Sequence, residues 1–365
     1  MYKIDSPHAT EFIDDAEIKA TLEYAEANKN NIELVNSLIT KASFCKGLSH
    51  REAAVLLLCH DPQVRDRIHN LAREVKKRFY GNRIVLFAPL YLSNYCVNGC
   101  VYCPYHAKNT QLPRKKLTQD EVRSETIALQ DLGHKRLALE SGEHPVETPI
   151  EYILECIHTI YTTHHKHGSI RRVNVNIAAT TVENYKKLKD AGIGTYILFQ
   201  ETYHKENYER LHPTGPKSDY AWHTEAMDRA QTAGIDDVGC GVLFGLSPYA
   251  YDFVGMLMHA EHLEACFGVG PHTISVPRIR PADDIDPRAF PNAVADEDFL
   301  HIIACIRLAV PYTGMIISTR ESPAVRAEAL HLGISQISGG SRTSVGGYAE
   351  SDKHTAQFET NDTRS

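Results

Sequence analysis

Residues 94–106 read Asn94-Tyr95-Cys96-Val97-Asn98-Gly99-Cys100-Val101-Tyr102-Cys103-Pro104-Tyr105-His106, directly after the apolar run 84–93. The spacing is C-x₃-C-x₂-C. Three thiolates on one short loop can hold three corners of a four-iron cluster and leave the fourth iron open to another ligand. A cluster built only to carry electrons would usually take four cysteines. His106 admits a second reading, because C-x₃-C-x₂-C-x₂-H is a Cys₃His set for structural zinc. Position weighs toward the cluster: structural zinc usually staples small modules, and this loop follows a predicted strand.

Working outward, the chain changes pattern at Arg83. Before it, 14–27, 31–46, 49–58 and 62–78 carry apolar residues at three-to-four spacing and read as helices. Ser49 and Glu52 form a capping box. After it, short apolar runs alternate with amphipathic segments. The strands are expected at 84–89, 136–140, 173–178, 195–199, 238–244, 273–276, 315–318 and 335–338. The helices are expected at 118–132, 149–164, 182–191, 220–233, 253–267, 296–310 and 323–332. Several of these helices run into a glycine that would stop them: Gly133, Gly192, Gly234, Gly268 and Gly333. This order predicts an α/β fold, a (βα)₈ TIM-type barrel (81–348) behind a helical N-terminal extension (1–80). A doubly wound open sheet remains as the alternative, since strand count does not separate the two. Residues 349–365 read as a polar tail.

Composition narrows the function. The 365 residues carry 39 Lys and Arg against 46 Asp and Glu, a net charge of −7, so no nucleic-acid partner is expected. No apolar run reaches the ~18 residues of a membrane span, and no secretory leader is legible, so a cytoplasmic protein without membrane contact is expected. Nine cysteines, six scattered and three clustered, point to a metal or redox site rather than a disulfide framework.

In a barrel, functional groups sit just after the strands. After the second strand comes Glu140-Ser141-Gly142-Glu143. Asn176 ends the third, where alternation would turn it inward, and Thr181 beyond it is a good helix cap. Glu201 follows the fourth, a polar residue costly to bury without a partner. Arg210, a little further on, is suited to a carboxylate or to a surface ion pair. Arg278 and Arg280 follow the sixth strand between prolines, poised for a carboxylate ligand or for self-pairing with Asp283 or Asp284. Ser318 and Arg320 follow the seventh, a hydroxyl and a guanidinium that suit an amino-acid carboxylate. His272 lies at the start of the sixth strand, hence at the opposite end.

The cysteine spacing after the first strand, with aromatic Tyr102 before the third cysteine, resembles the radical S-adenosylmethionine (SAM) enzymes. The resemblance implies a [4Fe-4S] cluster on Cys96, Cys100 and Cys103. SAM would chelate the open iron and be cleaved to a 5′-deoxyadenosyl radical, with Tyr102 near the adenine. Ser141, Gly142 and Glu143 resemble the family's Gly-Gly-Glu element, with Ser141 in place of the first glycine. Asn176, Glu201, Arg210 and Arg278 join them as expected SAM contacts.

Within that family, the stretches 87–96, 177–185, 275–281 and 311–315 resemble the tyrosine-lyase branch that matures [FeFe]-hydrogenase, with the tyrosine lyases of thiazole biosynthesis as relatives. This implies Cα–Cβ cleavage of L-tyrosine to p-cresol and dehydroglycine, with Ser318 and Arg320 on the substrate carboxylate. It also implies an electron donor and other hydrogenase maturation proteins as partners. His272 would ligate extra iron on a second, auxiliary cluster. That cluster is expected only with a C-terminal domain, since no cysteine follows Cys305. Residues 349–365 would lead toward it.

Overall fold

The computed structural model describes residues 1–166, 168–280, 285–350, 355–362 and 364. Eight parallel strands close into a barrel: β1 (Val85–Ser93), β2 (Arg136–Ser141), β3 (Arg172–Asn176), β4 (Tyr196–Ile197), β5 (Val238–Gly241), β6 (Thr273–Ser275), β7 (Gly314–Ile317) and β8 (Gln336–Ser338). Each strand pairs with its neighbour in sequence, and β1 closes the ring on β8 through Val85 opposite Gln336. Closure excludes the open sheet. The registers, such as Leu137 opposite Val173 and Thr273 opposite Gly314, stagger around the ring as strand tilt requires.

The intervening helices bury one face on the barrel. Capping chemistry fixes several starts: Thr118 and Glu121 cap each other's backbone in a capping box, and the Thr181 hydroxyl accepts from Asn184 N at 3.3 Å. The expected helix 220–233 is two, Tyr220–Thr224 and Ala226–Thr232. Glu225 between them leaves helical geometry, and its carboxylate accepts from Ala9 N at 2.9 Å. A short helix, Lys205–Leu211, was not legible, because its N-cap is a histidine.

The N-terminal helices Asp15–Asn28, Ile32–Ser43, His50–Leu58 and Pro62–Tyr80 fall where the periodicity puts them. Asp15–Asn28, His50–Leu58 and Pro62–Tyr80 pack on the barrel helices Tyr249–Phe267 and Asp296–Ala309, and Ile32–Ser43 packs on His50–Leu58 and Pro62–Tyr80. His50 sits between Glu261 (2.7 Å) and Glu17 (3.0 Å) and clamps the extension to the barrel.

Arg307 secures the barrel's N-terminal end through carbonyl groups, with no ion-pair partner among the described residues. Its guanidinium, fully buried, donates to the carbonyls of Gly333, Pro311 and Thr313. This also accounts for Gly333, which ends its helix with extended backbone (φ −162°) where the other helix-stopping glycines take positive φ. Arg307→Ala would strand three buried carbonyls, so unfolding by urea should show a loss of about 3 kcal/mol. An unchanged midpoint would show that water replaces the guanidinium at no cost.

Candidate active site

The inward positions near the C-terminal ends of the strands do not fill the barrel. Tyr91, Glu140, Asn176, Ser275 and Ser318 instead line a cavity open to solvent. The loop after β1 forms one wall, with Cys96, Cys100 and Cys103 all facing in.

That loop is held from several sides. Arg114 donates to four of its carbonyls, those of Asn94 (2.6 Å), Tyr105 (2.9 Å), His106 (2.8 Å) and Asn109 (3.1 Å). Asn98 is buried. Its amide donates to Glu143 Oε2 at 2.6 Å and accepts from Lys217 N at 2.9 Å. Gly142 lies so close that a Cβ there would overlap Tyr95 O and meet Cys96 Cβ at 3.1 Å. Burial pushes the Cys103 thiol up to about 11 and Cys100 further, and metal binding would favour both thiolates.

The donor set fits a cluster. Among the described residues, no three His, Cys, Asp or Glu side chains converge closely enough to hold one ion. Three thiols on one cavity wall suit a four-iron cluster, which offers each its own iron.

Tyr102 shares the cavity, and its hydroxyl donates to His212 Nε2 at 2.7 Å. The His212 Nδ1–H donates to Tyr208 O at 2.7 Å. Burial holds His212 down at about 3, so the ring is neutral and can accept.

Glu201 sits at φ +68°. Thr202 N bonds to Gln200 O at 2.9 Å across it, a γ-turn of the rare positive-φ kind. The Asp252 carboxylate secures that strained turn through Thr202 Oγ1 and Tyr203 N, both at 2.8 Å. Glu201 accepts from Lys217 Nζ at 2.7 Å. Burial works against the Lys217 charge, but Glu201 and the neighbouring thiols raise its pKa on balance.

Glu140 accepts from Asn176 Nδ2 at 2.7 Å and is pushed up to about 8 by burial, against that bond and the Arg320 charge. Glu143 is also raised by burial. Ser318 Oγ accepts from Arg320 N at 3.2 Å. The Arg320 guanidinium lines the cavity over the Phe358 ring, 3.8 Å from its centroid, and has no ion-pair partner among the described residues.

Thus Cys96, Cys100, Cys103, Tyr102, Ser141, Gly142, Glu143, Asn176, Glu201, Ser318 and Arg320 meet in one cavity. Three expected residues stand elsewhere. Arg210 lies on the exposed face of its helix and bonds Asn207 Oδ1 at 2.9 Å. Arg278 turns away from the barrel axis and spends its donors on Glu321, Asp296 and Val294 O. Glu321 also takes Arg280, which does line the cavity. Asp283 and Asp284, the expected self-pairing partners, lie outside the described residues. His272 is at the opposite end, half-exposed, 3.7 Å from Asp237. Asn98, Arg114, Lys217 and Glu140 had no role from sequence. Only Glu140 carried a signal, its alternation with Ala138.

Comparison with known proteins agrees with this geometry. The Radical SAM superfamily model matches residues 90–253, and the Biotin and Thiamin Synthesis associated domain model matches residues 275–365. The chain belongs to the radical SAM family. A crystal structure of HydG, a maturase of the [FeFe]-hydrogenase, is 59% identical over 97% of this chain and 77% of its own, with a TM-score of 0.94. HydG from Carboxydothermus hydrogenoformans is 39% identical over 97% of this chain and 80% of its own, with a TM-score of 0.86. The 2-iminoacetate synthase of Salmonella typhimurium is 34% identical over 80% of this chain and 76% of its own. The radical SAM family implies a [4Fe-4S] cluster and SAM, which the cysteine wall and the acidic groups beside it fit.

The Glu140 carboxyl makes stability pH-dependent. Between its unfolded value near 4.5 and about 8, the folded chain keeps a proton that the unfolded chain has lost. Unfolding free energy therefore falls as pH rises through that window. Glu140→Gln should flatten the fall, measured as urea midpoints at the two ends of the window; an unchanged slope would mean Glu140 is ionised in the fold.

Proposed function

We propose that this radical SAM enzyme cleaves the Cα–Cβ bond of L-tyrosine to p-cresol and dehydroglycine. This would be the first step in making carbon monoxide and cyanide for [FeFe]-hydrogenase. One observation carries the reading. Arg320 is a half-buried cation in the cavity of the thiol loop with no ion-pair partner among the described residues, and a cation held partly out of water favours a ligand that brings the anion. An α-amino acid brings a carboxylate, which a guanidinium holds bidentately. The 59% identity to HydG supports the choice of tyrosine.

When bound, the cluster and SAM would supply the radical chemistry for hydrogen-atom abstraction from the substrate. The chain's own residues hold and orient. Cys96, Cys100 and Cys103 would ligate the cluster, and Tyr102 would flank the adenine. Ser141, Gly142 and Glu143 would receive the SAM amino group. Asn176 and Glu201 would meet the rest of SAM, with Lys217 as the nearby cation. Ser318 and Arg320 would hold the tyrosine carboxylate, and Ser318 keeps its hydroxyl proton to donate.

His272, at the other mouth, remains the residue the HydG likeness assigns to extra iron on an auxiliary cluster. The other six cysteines are scattered free thiols and do not fit such a cluster, so carbon monoxide and cyanide release are not expected from these residues alone. An electron donor, hydrogenase maturation proteins as partners and a cytoplasmic location belong to the same proposal; among the described residues, no helix is long and apolar enough to cross a membrane. The likeness to 2-iminoacetate synthase favours a second reading, a thiazole-pathway lyase with the same first step.

Anaerobic reconstitution tests the proposal. The chain should hold about four iron and four sulfide and, with SAM, reductant and tyrosine, form 5′-deoxyadenosine and p-cresol. Stoichiometric zinc without sulfide would sink the reading. Cys100→Ala should abolish both products. Arg320→Ala should raise the tyrosine KM by about 100-fold, in line with loss of a charge-assisted bidentate contact. An unchanged tyrosine dependence would remove Arg320 from the substrate site.

A further inference from the structure

Residues 355–362 carry no strand or helix, yet they cross the barrel mouth as an anchored strap. Tyr105 Oη donates to Thr355 O at 3.1 Å, and Tyr91 Oη donates to Gln357 Oε1 at 2.8 Å. Thr343 Oγ1 donates to Phe358 O at 2.8 Å, and Asn361 N to Thr319 O at 2.9 Å. The Asp362 carboxylate is buried against Arg326, 2.5 Å away, and the same guanidinium donates to Ser338 O at the end of β8. A buried ion pair and these hydrogen bonds make the strap part of the barrel rather than a loose tail.

The strap reaches Arg320 twice. Asn361 Nδ2 donates to the Arg320 carbonyl at 2.6 Å. The Phe358 ring covers one face of the guanidinium at 3.8 Å. Ser318 Oγ takes the Arg320 amide from the other side. A stacked guanidinium loses its torsional freedom but keeps its N–H edge open, which is the edge a carboxylate needs. The ring also lowers the cost of holding a cation that has no ion-pair partner among the described residues. Phe358 itself lines the cavity and brings no hydrogen-bonding group to compete for that edge.

We infer that Phe358 is the positioning residue of the substrate-carboxylate clamp, and that the 355–362 strap exists to hold it there. The inference rests on the reading of Arg320 as the carboxylate-binding residue. The strap pre-orders the guanidinium, so tyrosine binding does not have to order it.

The test is steady-state kinetics of the reconstituted full chain, following p-cresol against tyrosine, with SAM affinity measured separately by equilibrium binding. Phe358→Ala should raise the tyrosine KM by about tenfold with kcat changed far less. SAM affinity should stay within about twofold, because the stacked partner is Arg320 and not the thiol wall. Phe358→Tyr should restore KM, and Phe358→Leu, which keeps bulk but not the ring, should not. In an Arg320→Ala background, Phe358→Ala should add nothing. An unchanged KM in Phe358→Ala, full rescue by leucine, or an additive effect in the Arg320→Ala background would each overturn the inference. If Phe358→Ala fails to fold, the tyrosine and leucine variants decide it alone. Failure of the underlying reading looks different: Arg320→Ala itself would then leave tyrosine dependence intact.

Discussion

The buried amide of Asn98 is the contact on which the site depends. Its nitrogen donates to Glu143, beyond β2, and its oxygen accepts from the backbone of Lys217, far along the chain. Gly215, at φ +90°, packs against the same side chain, where any Cβ would overlap it. One side chain therefore ties the cysteine loop to the element expected to receive the SAM amino group and to the loop that carries the cavity's lysine. The amide's two ends are not interchangeable here, because a carboxylate demands the donor and a backbone N–H demands the acceptor. Aspartate in its place would put two carboxylates in contact.

Charge in the cavity is arranged rather than merely present. Lys217 is matched to Glu201, and Arg280 to Glu321. Glu140 is pushed up by burial toward its neutral form. What remains is Arg320, which has no ion-pair partner among the described residues. A zwitterion such as an α-amino acid meets acidic groups near the thiols and, beside the strap, a cation with no ion-pair partner among the described residues. Low dielectric makes such matching count for more than it would in water.

The barrel was legible because eight short apolar runs alternate with amphipathic segments, and because capping residues such as Thr181 announce helix starts. The thiol loop was legible because its ligands are near neighbours in sequence. Arg278 misled for a physical reason. Flanking prolines make its loop stiff but do not say which way alternate side chains turn, and Glu321, distant in sequence, claims the guanidinium. Arg210 misled because the helix that carries it lacks a recognisable cap, so its exposed face was not visible.

By itself, the sequence determined local matters: the order of strands and helices, three thiols at cluster spacing, and the strand ends where function should gather. Only the tertiary structure decided which of those groups share a cavity. Asn98, Arg114, Lys217 and Phe358 act through contacts between residues remote in sequence, and no periodicity or spacing records such contacts. The polar segment near residue 349 shows this most plainly. Its composition reads as a tail, but Asp362, buried beneath Arg326, and Phe358, stacked on Arg320, make it a wall of the site.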